Sequence, residues 1–235
     1  MVSVGISVVV PVYAGAETLS EMVREFSSIK REWENRFPQI ELLEVVFVDD
    51  DSVDHSSAVL SGLETRHSWI RVLTLSRNFG QHPATVAGIL TTSGEWVVTM
   101  DEDLQHPPSK IFDLLKTALD AGNDVVYAKS TVNVHDSFLR DWSSRFVKKL
   151  TSWLSGNQQV VDFSSFRLVR GSIARAAAAV SANETYFDVA LSWFTSGIGT
   201  LSLELRDERF RQRRQSGYSL RRLISHARRL LISSQ

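Results

Sequence analysis

Apolar and polar residues alternate along the first half of the chain in a pattern that predicts strands and helices in turn. Ile6–Val12 is β-branched and apolar, as a buried parallel strand should be. Thr18–Lys30 follows with helical spacing, placing Leu19, Met22, Val23 and Phe26 on one face. Leu43–Val48 and Ile70–Leu75 read as the next strands, and Pro83–Thr92 as a helix opened by proline. Trp96–Met100 is a fourth strand, Pro108–Ala121 a helix with proline at its start, and Asp124–Ala128 a fifth strand after a Gly122-Asn123 turn. This alternation predicts an α/β fold: an open, mostly parallel central sheet flanked by helices on both faces. Such sheets bind ligands at the carboxyl ends of their strands. The loops Tyr13–Glu17, Asp49–Asp54, Ser76–Gly80 and Asp101–His106 are therefore expected to share one crevice. The second half is less regular. Phe138–Leu154, Glu184–Thr195 and Leu220–Ile232 read as helices, and Phe166–Val169 and Leu201–Leu205 as strands.

Composition narrows the classes. The 235 residues suffice for one large domain, and the net charge of -1 gives no argument for a nucleic-acid partner. With no cysteine, disulfides and thiolate metal sites are excluded, which fits a cytoplasmic location. The first residues lack a basic n-region, and no segment is long and apolar enough to cross a bilayer. Any membrane contact is thus expected to be peripheral, on the inner face. Charge is unevenly placed: nine arginines lie between Arg206 and Arg229 against only Asp207 and Glu208, which points to a basic site late in the chain.

Two acidic loops carry candidate chemistry. Asp49-Asp50-Asp51-Ser52-Val53-Asp54 directly follows a strand. One cap would satisfy a turn; three consecutive carboxylates there favour contact with ribose or base hydroxyls. Asp101-Glu102-Asp103 also follows a strand, and in extended chain Asp101 and Asp103 can face one ligand. Hard oxygen ligands of this kind suit Mg²⁺ or Mn²⁺ bridging a diphosphate. A dinucleotide site is disfavoured, because the first strand–helix turn offers only Gly15. No nucleophile elbow supports Ser-His-Asp hydrolysis.

These segments occur in a telling order: Pro11-Val12-Tyr13, Val48-Asp49-Asp50 with Ser52 and Asp54, Leu75-Ser76-Arg77-Asn78-Phe79-Gly80, and Met100-Asp101-Glu102-Asp103-Leu104-Gln105-His106-Pro107-Pro108. Ser165-Phe166-Arg167-Leu168 and Arg211-x-x-Arg214-x-x-Gly217-x-Ser219 extend the series. Together they resemble family 2 glycosyltransferases with the GT-A fold, and within them the polyprenyl-phosphate sugar transferases such as dolichyl-phosphate mannose synthase. The resemblance implies one domain whose first half, to about residue 130, binds a UDP-, GDP- or dTDP-linked sugar, and whose second half faces the acceptor. It implies an inverting transfer, with Asp101 and Asp103 holding the metal that neutralises the leaving diphosphate. Pro11, Tyr13, Asp49 and Asp50 would line the nucleoside pocket, Gln105 would lie near the sugar or acceptor, and Arg211 and Arg214 would clamp phosphates.

Four departures from that pattern matter. Ala14-Gly15 stand where relatives usually have Asn-Glu, whose acid helps hold the nucleotide; Glu17 is a candidate replacement. Asp51 replaces the usual glycine. Ser165 stands where many polyprenyl-phosphate enzymes have an aspartate proposed as base. Leu220-Arg221 replace an expected tyrosine. A hydroxyl acceptor needs a base, for which Asp162 is the candidate, whereas a phosphate acceptor is already an anion. The expected acceptor is polyprenyl phosphate. Transfer to a saccharide hydroxyl in envelope or capsule glycan assembly is the alternative, and an idle nucleotide-sugar-binding subunit the alternative of another class. Leu220, Leu223, Ile224, Ala227, Leu230 and Leu231 fall on one face of the last predicted helix and Arg221, Arg222, Arg228 and Arg229 largely on the other. That helix either docks on the core or lies on an anionic membrane. Homo-oligomer formation is left open.

Overall fold

The computed structural model describes residues 3–131, 164–181 and 186–204. Their elements run β1 (Val4–Val12), α1 (Leu19–Arg36), β2 (Ile40–Asp49), α2 (Ser56–Arg66), β3 (Ile70–Thr74), α3 (Gln81–Leu90) and β4 (Trp96–Thr99). A 3₁₀ turn at Pro108–Lys110 leads into α4 (Ile111–Ala121), followed by β5 (Val125–Ser130), β6 (Arg167–Arg170), α5 (Gly171–Val180), α6 (Phe187–Ser192) and β7 (Ile198–Leu203). The strands form one seven-stranded sheet in the order β3-β2-β1-β4-β6-β5-β7. All neighbouring pairs are parallel except those of β6, which runs antiparallel to both β4 and β5.

Strand alternation divides the core into two layers. Val8, Val10, Phe47, Val98 and Val126 face one side, packed by the apolar stripes of α1 and α4 and by Leu60 and Leu63 of α2. Val9, Val46, Val97, Val125 and Tyr127 face the other, packed by α3, α5 and α6. Helix α1 outruns its predicted end because Ile29 and Trp33 continue the buried stripe of Leu19, Met22, Val23 and Phe26; Pro38, just past the Phe37 cap, stops it. Helix α3 starts at Gln81, two residues before Pro83, which the first turn tolerates. It lies close on the sheet at Gly88, where a Cβ would sit 2.5 Å from Val9 Cγ1 and 2.8 Å from Val48 Cγ2.

Two helices were not legible as amphipathic patterns. α2 buries only Ser56, Leu60 and Leu63, and α5 packs through Ala174, Ala177 and Ala178 rather than large side chains. The predicted helices at Phe138–Leu154 and Leu220–Ile232 lie outside the described residues.

This topology places the site. β1 connects onward to β2 on one flank and pairs with β4 on the other, so a crevice opens between their carboxyl ends. Because β6 runs backwards, its entry at Ser164-Ser165 arrives at that same edge, where Ser165 carbonyl accepts a hydrogen bond from Thr99 Oγ1 at 2.7 Å.

Candidate active site

At the carboxyl edge lies a cavity of about 680 Å³. All four crevice loops contribute to its wall: Tyr13, Asp50, the Asn78–Gly80 segment and Asp101-Glu102-Asp103. Ser164, Ser165 and Arg167 from the β6 entry, with Tyr186 and Asp188 at α6, complete it.

The acid loop after β4 turns sharply. Leu104 takes left-handed backbone at φ 63° and drops its side chain into the core. Asp101 Oδ1 accepts from Gln81 Nε2, and Oδ2 accepts from the Ser165 hydroxyl at 2.7 Å. The Asp101 N–H donates to His106 Nδ1 at 3.1 Å, and the imidazole stacks on Phe166 with ring centres 5.0 Å apart. Since Nδ1 is the acceptor in that bond, its 3.9 Å approach to Asp101 Oδ2 is not an ion pair. His106 therefore fixes the Asp101 backbone. Asp103 Oδ1 accepts the Gln105 N–H at 3.0 Å. Burial, then the neighbouring Asp101 charge, raise the Asp103 pKa despite the Gln105 bond. A cation relieves both effects. Among the described residues no group of three or more His, Cys, Asp or Glu forms a ready-made metal cage. Two carboxylates plus substrate phosphates are, however, the usual donor set for Mg²⁺, and Asp101 and Asp103 fit it.

At the end of β2, the two aspartates Asp49 and Asp50 have different roles. Asp50 is buried in the wall, and its two oxygens accept the Phe79 and Gly80 N–H groups, each at 2.8 Å. It holds the Asn78–Gly80 segment against the cavity. Asp49 lies outside the lining, accepting from the Ser52 N–H at 2.9 Å, the Ser52 hydroxyl and the Ser57 hydroxyl. Asp51 sits at φ 55°, a left-handed position that glycine adopts without strain.

Successive amides of the β1–α1 loop all meet side chains. The Tyr13 and Ala14 N–H groups donate to Glu102 at 3.0 and 3.1 Å, Gly15 to Ser56 Oγ at 3.0 Å, and Ala16 to Asp54 Oδ2 at 3.1 Å. With these amides occupied by protein oxygens, this turn is no phosphate cradle of the dinucleotide kind. Burial raises the Glu102 pKa, and the nearby Asp54 and Asp103 charges add to it, against the two amide bonds. For Asp54 burial also pushes upward, but the Ser56 and Ala16 bonds outweigh it and hold the carboxyl below its usual range.

The opposite wall contains a buried pair. Arg167 and Asp188 form a salt bridge, the Tyr127 hydroxyl donates to Asp188 Oδ1 at 2.8 Å, and the Arg167 guanidinium lies 4.8 Å from the Phe187 ring centre. Burial disfavours the Arg167 charge, and Asp188 more than offsets that; burial pushes the Tyr127 hydroxyl well above its ordinary range. Nearby, His82 stacks on Tyr186 at 4.9 Å and accepts the Phe187 N–H at 3.1 Å.

Of the residues expected from sequence, Pro11, Tyr13, Asp50, Asp101 and Asp103 meet at the cavity. Gln105 is not among its lining residues, and Glu17 is exposed and outside it. Asp162, Arg211 and Arg214 lie outside the described residues. Gln81, Glu102 and the Arg167–Asp188 pair were not anticipated. The signals available were Glu102 within the acidic triplet, Arg167 within Ser165-Phe166-Arg167-Leu168, and Asp188, an acid inside the apolar run Phe187–Leu191.

Comparison with known proteins agrees with this geometry. The model of the family described as Glycosyl transferase family 2 matches residues 7–180. An undecaprenyl-phosphate 4-deoxy-4-formamido-L-arabinose transferase of Pseudomonas fluorescens is 31% identical over 221 residues, covering 94% of this chain and 62% of the relative. The protein of the same name from an Enterobacter species is 32% identical over 227 residues, covering 94% and 64%. The chain thus spans less than two thirds of the length of these relatives. Among solved structures, mannosyl-3-phosphoglycerate synthase from Rubrobacter xylanophilus aligns with a TM-score of 0.68 at 15% identity, over 98% of this chain and 72% of that one. Glucosyl-3-phosphoglycerate synthase from Mycobacterium tuberculosis, solved with Mn²⁺ and UDP-glucose, aligns with a TM-score of 0.65 at 18% identity, over 97% and 77%. At such identities the likeness is one of fold, the GT-A arrangement.

Proposed function

Because the chain belongs to glycosyl transferase family 2, we propose that it moves a sugar, with inversion, from a nucleoside-diphosphate sugar to the phosphate of a polyprenyl phosphate. The relatives that are named for undecaprenyl phosphate support the acceptor, and the UDP-glucose complex of a structural neighbour makes UDP-sugars the first donors to test.

The observation that carries the reading is the state of the cavity's carboxylates. Asp50 and Glu102 are tied to backbone amides, and Asp188 to Arg167 and Tyr127. At position 165 a serine hydroxyl donates to Asp101 where a base would stand. Among the described carboxylates of the cavity, Asp101 and Asp103, oriented by Gln81, Ser165 and the Gln105 amide, form the adjacent pair that suits a divalent cation, Mg²⁺ or Mn²⁺. A hydroxyl acceptor would need a group to take its proton; a phosphate oxygen attacks without one. Asp162 is then not required as a base.

When bound, the ion supplies positive charge to the departing diphosphate. The protein's share is positioning. Asp50 fixes the Asn78–Gly80 wall, Tyr13 and Pro11 offer a surface for the nucleoside, and Gln81 and Ser165 orient Asp101. Asp49 we assign to shaping the loop that presents Asp50, and Gln105 to holding Asp103 through its amide.

Incubation with a nucleotide-sugar panel, undecaprenyl phosphate and Mn²⁺ tests the proposal. Transfer is expected, lost in excess chelator and reduced on the order of 100-fold or more in Asp103→Asn with the fold intact. Full activity in chelator or in that variant would refute it.

A further inference from the structure

We propose that Glu102, although set between the two metal-binding aspartates, is a positioning residue for the donor nucleoside, and that Gly15 is the vacancy that lets it act. The proposal rests on the donor-binding reading above and assigns one of its determinants. The Glu102 carboxylate turns toward the β1–α1 loop. Its Oε2 accepts the Tyr13 N–H at 3.0 Å and its Oε1 the Ala14 N–H at 3.1 Å, while its own carbonyl accepts from Thr18 Oγ1 at 2.7 Å. Residue 102 thereby ties the metal loop to the segment that presents Tyr13, a residue 42% exposed that lines the cavity.

Gly15 is buried and does not occupy the left-handed region, so its backbone does not demand glycine. Space does. A Cβ at position 15 would fall in hard contact with Glu102 Oε2 and 3.2 Å from its Cδ. A side chain at 15 and the Glu102 carboxylate in this place exclude one another. The carboxylate that holds the β1–α1 loop is thus supplied from the Asp101–Asp103 loop across the crevice.

The bonds also fix which chemistry residue 102 must have. Two N–H donors converge on one side chain, so two acceptor oxygens are needed, and an anion accepts more strongly than a neutral group. Glutamine offers one acceptor and turns an NH₂ toward the second amide. The Gly15 and Ala16 amides are held separately by Ser56 and Asp54, so loss of Glu102 loosens the Tyr13 end of the loop.

Binding of UDP, GDP and dTDP in the presence of Mn²⁺, measured by calorimetry, tests the pairing. For whichever nucleotide the wild-type protein binds, Glu102→Ala, Glu102→Gln and Gly15→Ala are each expected to raise Kd roughly tenfold. Mn²⁺ binding without nucleotide should stay within about twofold, since a residue placed for the nucleoside leaves the ion's affinity alone. The double variant Gly15→Ala/Glu102→Ala should be no worse than Glu102→Ala, because the new methyl enters the vacated space; it also remains informative if Gly15→Ala alone fails to fold. Unchanged nucleotide affinity in the Glu102 variants, additive losses in the double variant, or a primary loss of Mn²⁺ affinity overturns the proposal alone. A wild-type protein that binds none of the three nucleotides overturns the donor reading and this inference with it.

Discussion

Asp51 at φ 55° and Leu104 at φ 63° hold left-handed backbone in the two acid loops, where glycine would be the unstrained choice. Leu104 is retained by its side chain, which is buried in the core, and its strain turns the chain so that Asp103 follows Asp101 into the cavity. Asp51 is exposed, and aspartate tolerates this conformation better than most residues. Asp51→Gly should therefore leave stability within about 1 kcal/mol of the parent, and Asp51→Val should lower it by about 1–2 kcal/mol. Denaturant titration checks both; equal stabilities of the two variants would show that the turn bears no strain. At this scale the sequence was readable where chemistry follows strand ends. Asp101 and Asp103 could be named because acids after an apolar strand have few structural reasons to repeat. The partners that define them could not. Gln81 and Ser165 reach Asp101 from α3 and from the β6 entry, and only the folded chain brings those segments together. The same holds for Arg167 and Asp188, 21 positions apart, each buried because the other is there.

At the level of elements, the edge of the sheet opposite the cavity is pinned by Glu44. A bulge between the Ile6–Leu42 and Ser7–Glu44 pairs sets Glu44 beside Ser7. Its carboxylate accepts from Ser7 Oγ at 2.8 Å, the Ser93 N–H at 2.7 Å, Ser93 Oγ at 2.8 Å and Arg71 at 2.6 Å. Burial pushes the Glu44 pKa up, but the Arg71, Ser93 and Ser7 bonds together hold it below its ordinary value. A folded-state pKa below the unfolded one means that the unfolded chain takes up the proton first as pH falls. The stabilisation is complete above the unfolded glutamate pKa, about 4.3, and disappears as pH drops through the lower folded value. Glu44→Gln should thus have a lower Tm at neutral pH and a shallower loss of Tm below about pH 5. Parallel Tm–pH curves for the two proteins would contradict this. Strand positions were legible because β-branched runs such as Ile6–Val12 mark buried strands. The reversed direction of β6 was not, since a four-residue strand, Arg-Leu-Val-Arg, carries no sign of its direction. Helices α2 and α5 escaped for a related reason: α2 buries only two leucines beside Ser56, and the alanines of α5 bury well at close contacts without forming a stripe of large side chains.

For the whole molecule, the proposed polyprenyl phosphate acceptor raises the question of how a cavity at the sheet edge would meet a lipid-borne substrate. Among the described residues no helix is long and apolar enough to cross a membrane. The sequence beyond them carries Arg221, Arg222, Arg228 and Arg229, which the spacing expected of a helix would set opposite Leu220, Leu223, Leu230 and Leu231. A basic side chain near an anionic surface contributes on the order of 1 kcal/mol, screened over a Debye length. The protein should therefore bind anionic liposomes, release as salt rises, and lose most binding when these four arginines become glutamine. Arg211→Ala and Arg214→Ala should instead impair transfer with little change in sedimentation. No binding to anionic liposomes at low salt would place the acceptor in solution. The central proposal is that the cavity, whose described carboxylates Asp50, Glu102 and Asp188 are all held by hydrogen-bond donors, serves an acceptor that is already an anion. Its most direct test compares initial rates on undecaprenyl phosphate and undecaprenol, with one donor and Mn²⁺. Glycosylation of the phosphate alone is the result predicted here; glycosylation of the alcohol at a comparable rate would contradict it.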